Sequence, residues 1–568
     1  TKALVPQVYV KSQVGDLKGD GTLIAADQVQ LDMQGDVLNS ATIAGREALK
    51  INANSINQLN GRLEANRIGI STKKDLNNIG SQIVAKDALS MEIGGNFNHS
   101  STLSSNSNKS GQNEFGFTKI DRKAGIYVGN GQTSDALKNT LNIRVGGNTS
   151  LKAADIINSN GSSVIQTQGD VSLNTLQTER VTNSYTNKKN FDFGTQKQDV
   201  GNQIQSKGDL TLTGKNIDIT GSQLSSEQGK TLVSASEDLT IKEGRKSSSY
   251  EHADETKKKG FLSKKTTQNY IKDVSNEAVA STVDGKQVIL DAKNIKIQGS
   301  EVVSDELTQI QAKENIEIKG ADSNYLNIHN TQTKKSGLMS GGGFGISIGS
   351  KKEKTEQEQT QHTNSGSMVG SLNGNTNIVA GKNYQQTGST VSSQQGDVNI
   401  LAQQVTIEAA KEQSTSQYKH EMEQKGLTLA VNVPVVSAVQ TALESSKQVG
   451  QSKNDRVNAM AAANAGFDAY KAGQTLAQLK DAATSAANLA QSANVSVSIT
   501  YGEQKNTEFN RSESNTANQS TVSAGGKTNI VATGAGKDSN INIIGSDVMG
   551  LKGTHLAADQ NVNIKAAE

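Results

Sequence analysis

The 568 residues contain no Cys, no Trp, two Pro, 54 Gly and 3% aromatic side chains, with a formal net charge of +2 and a mean hydropathy of −0.55. This composition excludes a large aromatic core, disulfides, thiolate metal sites and the basic footprint of a nucleic-acid binder. Near-neutral charge with abundant Ile, Val and Thr argues against disorder and for a thin structure that buries one small aliphatic side chain every few residues. No 18-residue apolar run is present, so no segment is expected to span a membrane as a helix. Thr1 opens the chain without a signal-peptide pattern, as expected of an internal fragment.

Residues 1–104 are expected to form short-stranded coils, because apolar-x-apolar triplets such as Leu49-x-Ile51 and Ile68-x-Ile70 return at a steady spacing between Gly, Asn and Asp. Two inward residues per triplet mean very short strands, and Gly and Asn supply the left-handed turns of a tightly coiled chain. Over 105–410 the triplets continue as Ile217-x-Ile219, Leu239-x-Ile241, Ile295-x-Ile297, Ile316-x-Ile318 and Val405-x-Ile407. A longer unit is superimposed on them. Lys215-Asn216-Ile217-Asp218-Ile219-Thr220-Gly221-Ser222 returns as Lys293-Asn294-Ile295-Lys296-Ile297-Gln298-Gly299-Ser300, again at Lys382–Ser389 and more loosely at 538–546.

The period is broken near 105–140, 180–205, 245–282 and 329–370, where projecting β-hairpin arms are expected. Thr256-Lys257-Lys258-Lys259-Gly260-Phe261-Leu262-Ser263 matches Thr333-Lys334-Lys335-Ser336-Gly337-Leu338-Met339-Ser340, and a third copy starts at Lys425-Gly426-Leu427. A longer arm is expected at 411–520. Its strands carry Leu427, Leu429, Val431 and Val433 on one side and Val495, Val497 and Ile499 on the other. Those seven alternate with small polar residues as membrane-barrel strands do and are the candidate membrane or arm contacts. Between them, Pro434 and the spacing of Leu476, Leu479, Ala483, Ala486 and Ala490 predict an Ala-rich helical hairpin at 435–494. Coils resume at 521–568. A lone ribbon is marginal in water, so the arms must pack on the shaft, pair with one another or meet a membrane, and a sheet lying on the shaft is the expected resting arrangement. With coils of roughly 20 residues stacked at about 4.8 Å, the shaft would hold about 15 coils over about 70 Å.

The Lys-Asn-φ-x-φ-x-Gly-Ser unit, the Lys-Lys-x-Gly-Phe/Leu arm and the stretch Gly341-Gly342-Gly343-Phe344-Gly345-Ile346-Ser347-Ile348-Gly349 together resemble the second haemagglutinin-repeat region of contact-dependent growth-inhibition effectors, relatives of filamentous haemagglutinin. The resemblance covers most of the chain. It implies an all-β, right-handed parallel β-helix, secreted to the surface of a Gram-negative bacterium by an outer-membrane two-partner-secretion transporter. It further implies a role in delivering a C-terminal toxin of the same full-length chain across the outer membrane of a target cell, with that membrane or its proteins as partners. The family's secretion domain and its Val-Glu-Asn-Asn toxin boundary do not occur in residues 1–568, so toxin carrier and shaft of an adhesin both remain open.

No catalytic residue, cofactor or metal is expected. Gly345-Ile346-Ser347-Ile348-Gly349 fits the nucleophile-elbow spacing, but it alternates as one strand and Lys351–Gln361 after it has no apolar stripe. Gly526-Lys527-Thr528 lacks the first glycine of a phosphate loop, since Thr521 stands there. His99, His252, His329, His362, His420 and His555 show no metal-ligand spacing and are read as solvated. A β-helical polysaccharide lyase or hydrolase would need clustered carboxylates and aromatic platforms, which this sequence does not supply.

Overall fold

The computed structural model describes residues 22–129, 138–260, 262–341, 345–432, 456 and 496–567, with side chains except at 339–347, 428–432 and 496–501. These residues are almost wholly β, in sheets of 22, 14 and 10 strands. The first two are parallel and make a β-helical shaft; the third is antiparallel and is made of the arms.

One coil can be followed from Thr42. Thr42–Ala53 lies in the larger sheet and bends at a register shift between Ala44 and Ala48. Ile56–Leu59 then crosses the smaller sheet, and Arg62 begins the next coil in register with Thr42. The smaller sheet takes one strand per coil, so its 14 strands rise by roughly 60 Å at about 4.8 Å per step.

The triplets point inward. Ile217, Leu239, Ile295, Ile316, Tyr384, Val405 and Ile541 form one continuous register row, and each is 1% exposed or less. Tyr384 and Gln386 depart from the Ile-x-Ile rule, yet the polar atoms are matched. The Tyr384 hydroxyl donates to Gln386 Oε1 at 2.8 Å, and Gln386 Nε2 donates to the carbonyls of Ser389 and Thr521. Outside, Asn side chains stack as ladders: Asn98 donates to Asn77 and Asn77 to Asn57, both at 2.7 Å.

The Gly-Ser of the repeat is the corner of the coil. Gly221, Gly299, Gly388 and Gly545 adopt φ of 53°, 51°, 54° and 54°, the left-handed region that favours glycine. The serines beside the first three corners, Ser222, Ser300 and Ser389, are buried, and serines join successive coils: the Ser300 N–H donates to Ser367 Oγ, the Ser367 N–H to Ser389 Oγ and the Ser389 N–H to Ser520 Oγ, at 3.1 to 3.2 Å. A corner amide that the strand ladder cannot reach is thereby satisfied.

Five hairpins leave the shaft: Leu103–Ser110 with Asn113–Ile120, Leu176–Asn187 with Asn190–Val200, Gly244–Lys259 with Ser263–Val279, Ala321–Gly341 with Gly345–Ser365, and Ala410–Asn432 with Ser496–Asn518. Each leaves at the corner after a strand of the smaller sheet, and from the first arm onward alternate coils carry an arm while the coils between turn in one step. Two coils rise about 9.6 Å, which is the width of a two-stranded ribbon. Successive arms therefore meet edge to edge, pairing as one ten-stranded sheet. This corrects the expectation of a sheet lying on the shaft. Away from their bases the described arm side chains are exposed or half-buried on both faces, Ala253 and Gly116 excepted.

The helical hairpin expected at 435–494 is not supported: apart from Arg456 it lies outside the described residues, and the helical element among the other described residues is the short 3-10 turn Gly536–Asp538. His99 corrects the reading of the histidines as solvated. It is fully buried in the shaft, 2.8 Å from Asn78 Nδ2 and stacked on Phe97 at 5.7 Å.

Candidate functional site

Arm length grows along the chain, from strands of 8 residues in the first hairpin to 23 in the fifth, or about 27 Å to about 78 Å at 3.4 Å per residue. The last three arms share a composition that changes sharply with distance from the shaft. On the shaft side of that change the rows are polar and mixed in charge. Glu255 is held down to about 2 by hydrogen bonds from Lys189, Lys257 and Gln268, and Tyr270 is pushed up to about 12 by burial and by its bond to Glu251.

Further out, three consecutive cross-strand rows span all six strands of these arms. They read Lys257–Thr266–Lys334–Lys352–Glu423–Lys505, Lys258–Lys265–Lys335–Lys351–Gln424–Gln504 and Lys259–Lys264–Ser336–Ser350–Lys425–Glu503. Eleven lysines face two glutamates there. Lys257, Lys351 and Lys425 are ion-paired, whereas Lys264, Lys265, Lys334 and Lys352 make no ion pair among the described residues. Lys264, Lys334, Lys335, Lys351, Lys352 and Lys425 line a cleft of about 470 Å³.

Beyond the lysines comes a row of glycines, Gly337–Gly349–Gly426–Gly502, with φ of 99°, 156°, 131° and 143°. A Cβ at Gly337, Gly349 or Gly426 would stand 1.9 to 2.1 Å from a carbonyl oxygen of the neighbouring strand, so close backbone approach requires glycine at all three. The next row is apolar: Leu338–Ile348–Leu427–Tyr501. Leu338, Ile348 and Leu427 are 48%, 58% and 48% exposed, and Leu262 beside Leu338 is 64% exposed.

Of the seven candidate contacts, Leu427, Leu429 and Val431 lie on Ala410–Asn432 and Val497 and Ile499 on Ser496–Asn518. Leu429 is in register with Ile499, and Val431 with Val497. Val433 and Val495 lie outside the described residues. Ser347 sits within the strand Gly345–Ser365, in register with Met339 and Thr428, a ladder position and not a strand-to-helix turn.

The glycine and lysine rows escaped a reading along the chain. Their signal was the Lys-Lys-x-Gly-φ repeat, together with its mirror image on the return strands at Ile348-Gly349-Ser350-Lys351-Lys352. Pairing aligns the forward and mirrored copies.

Among the described residues no helix is long and apolar enough to cross a membrane, which says nothing of strands, and no group of three or more His, Cys, Asp and Glu is placed to hold a metal. The arrangement offers a graded surface: mixed charge, cationic rows, a glycine line, apolar ends.

Comparison with known proteins places this architecture. The family model described as Hemagglutinin repeat matches residues 262–427 and 499–568. A tRNA nuclease CdiA of Escherichia coli strain STEC_O31 is 30% identical over 98% of this chain and 17% of its own length. A 16S rRNA endonuclease CdiA of Enterobacter cloacae is 28% identical over 100% of this chain and 19% of its own length, and a deoxyribonuclease CdiA of Yersinia pseudotuberculosis is 33% identical over 49% of this chain and 25% of its own length. The chain thus spans less than a fifth of the length of the first two. No solved structure matches it. The chain is a haemagglutinin-repeat region of the CdiA type.

Proposed function

We propose that this chain is the non-enzymatic stalk and translocation region of a secreted contact-dependent growth-inhibition effector, which delivers a toxin carried elsewhere in the same protein across the outer membrane of a target cell. The observation that carries this reading is that relatives named for three different nuclease activities share this one region. A common segment serves what the proteins have in common, and delivery is common where the chemistry is not. Export by an outer-membrane two-partner-secretion transporter to the surface of a Gram-negative cell belongs to the same reading. So does a right-handed shaft, the hand that β-crossover-β connections adopt.

In this reading the shaft holds the arms at a fixed spacing, and on contact the apolar ends, including Leu427, Leu429, Val431, Val497 and Ile499, enter the target membrane. Alternation of apolar and small polar residues in register suits a strand with one lipid-facing side. The test is the double variant Val431→Lys, Val497→Lys in the full effector. Surface display and cell binding should stay normal while toxin entry, read as loss of target-cell growth inhibition, falls at least tenfold, because Lys on a lipid-facing strand is costly at the bilayer midplane. Undiminished killing by a normally displayed double variant would remove the membrane role. Loss of cell binding instead would favour the shaft of an adhesin.

A further inference from the structure

We propose that the three lysine rows of the last three arms are a docking surface for the phosphate groups of an anionic lipid surface, and that they set the depth to which the apolar ends of the arms reach. The inference rests on the membrane reading above and adds what the arms recognise and where on the arm they stop.

Three observations point to this partner. First, the lysines are concentrated, not scattered: eleven fall in three adjacent rows shared by three separately inserted arms. Like charges in register on neighbouring strands repel, and Lys334 stands beside Lys352, Lys335 beside Lys351 and Lys258 beside Lys265. A sheet that only had to be stable would separate them, and an anionic partner relieves the repulsion.

Second, the cationic rows stop at a definite level. One glycine row further out, the exposed side chains are Leu262, Leu338, Ile348 and Leu427. Positive charge followed directly by apolar surface along one axis is the profile of a membrane interface, with lysines at headgroup level and apolar residues in the acyl region. A nucleic acid would match the charge but leave the apolar row in water.

Third, the boundary between the two zones is the Gly337–Gly349–Gly426–Gly502 line. Without side chains it forms a low-bulk seam between lysine stems and apolar ends, so the two zones can take different angles to the sheet. The level of the seam is common to the fourth and fifth arms and continues to Ser263 of the third.

The measurement is co-sedimentation of the chain with vesicles of neutral phosphatidylcholine and with vesicles in which about 30 mol % is replaced by phosphatidylglycerol. The variant Lys264→Gln, Lys334→Gln, Lys335→Gln, Lys352→Gln removes lysines of the rows and touches no ion pair of the shaft. Binding to the anionic vesicles should exceed binding to neutral ones, weaken with salt, and fall at least about tenfold in the Gln variant, since each lysine near such a surface contributes measurably. Arg at the same four positions should restore it. The same number of Lys→Gln changes nearer the shaft, at Lys197, Lys246, Lys272 and Lys411, should leave it within about twofold. Circular dichroism of each variant verifies the fold.

Equal, salt-insensitive binding to both vesicles would overturn the lysine rows as a phosphate surface while leaving the membrane reading standing. No binding to either vesicle would overturn both. Binding to duplex DNA as tight as to anionic vesicles, with the same loss in the Gln variant, would overturn the assignment to lipid.

Discussion

The shaft and the arm sheet are both hydrogen-bonded ladders of β-strands, and they solve the burial problem in opposite ways. In the shaft every coil closes on itself, so a strand of four or five residues buries two side chains against the opposite walls and repeats this in the coils above and below. Ile295 and Ile297, 1% and 0% exposed, are held on all sides. In the arms the strands are up to 23 residues long and bury almost nothing. What they have is backbone pairing, cross-strand contacts such as Tyr185 on Phe193 at 6.2 Å, and exposed ion pairs such as Lys197 with Glu179 at 3.4 Å. Such pairs contribute about 1 kcal/mol or less each. The shaft is thus dry and cooperative, and the arm sheet is wet and divisible, a structure suited to changing partners.

The harshest way to break that comparison is a charge in the shaft. Ile295→Asp puts an unpaired carboxylate between Leu239 and Ile316 and should cost about 4 kcal/mol or more. Hydrogen exchange should show lost protection at Asp238–Lys242 and Ile316–Lys319 while coils several steps away stay protected, because a solenoid couples only to its neighbours. Protection lost uniformly along the chain would deny that locality. Phe97→Ala, which empties a fully buried site, should cost about 3–5 kcal/mol in denaturant unfolding.

His99 sharpens the contrast through pH. Burial holds its imidazole down to about 4, against the backbone and Asn78 hydrogen bonds that oppose the shift. In the unfolded chain the ring takes a proton as pH falls through 6.5; in the folded chain it stays neutral until about 4. The contribution of this group to stability is therefore full above 6.5 and is lost progressively between 6.5 and 4, by about 3 kcal/mol. His99→Asn, which keeps an amide beside Asn78, should remove that part of the pH dependence, measured as the difference between the two urea-midpoint profiles. Parallel profiles would mean that the ring is reached by water in the folded state.

How much of this was legible depended on whether the cause lay along the chain or across it. The triplets were legible because inward residues of a short strand sit two apart, and Ile217, Ile295 and Ile316 are buried as their spacing requires. The Gly-Ser corner was visible as a repeat, but its reason, a left-handed turn followed by a serine that accepts an amide from the adjacent coil, is a contact between coils. His99 misled for the same cause: polar neighbours in sequence, Asn98 and Ser100, point outward while the ring points in. The lysine rows depend on the register of six strands, and the two junctions between their three arms form only because the rise of two coils equals the width of one arm. No local pattern encodes that equality.

A smaller effect tests the Tyr384–Gln386 pair in the interior. Tyr384→Phe leaves the shape of the site intact and strips Gln386 Oε1 of its donor, which should cost about 1–3 kcal/mol for a buried unsatisfied acceptor. Gln386→Leu on top of it removes the orphaned amide, so the double variant should be more stable than Tyr384→Phe alone. If the double variant were less stable, the hydrogen bonds from Gln386 to Ser389 and Thr521 would outweigh the orphaned oxygen.

The smallest expected effect is the one that decides whether the arm sheet is a second core or a surface. Phe193 stacks on Phe191 and Tyr185, at 4.7 and 6.2 Å, yet all three are only half-buried. Phe193→Ala therefore removes a contact between rings that water already reaches, and should cost about 1 kcal/mol, well below the same truncation at Phe97. Because the second arm joins the shaft only at its base, the loss should appear as faster hydrogen exchange over Leu176–Val200, with the global unfolding midpoint unchanged. A shift of that midpoint as large as the one at Phe97 would mean that the arms fold as one unit with the shaft, and a sheet so coupled could not be released to meet a membrane without opening the coils beneath it.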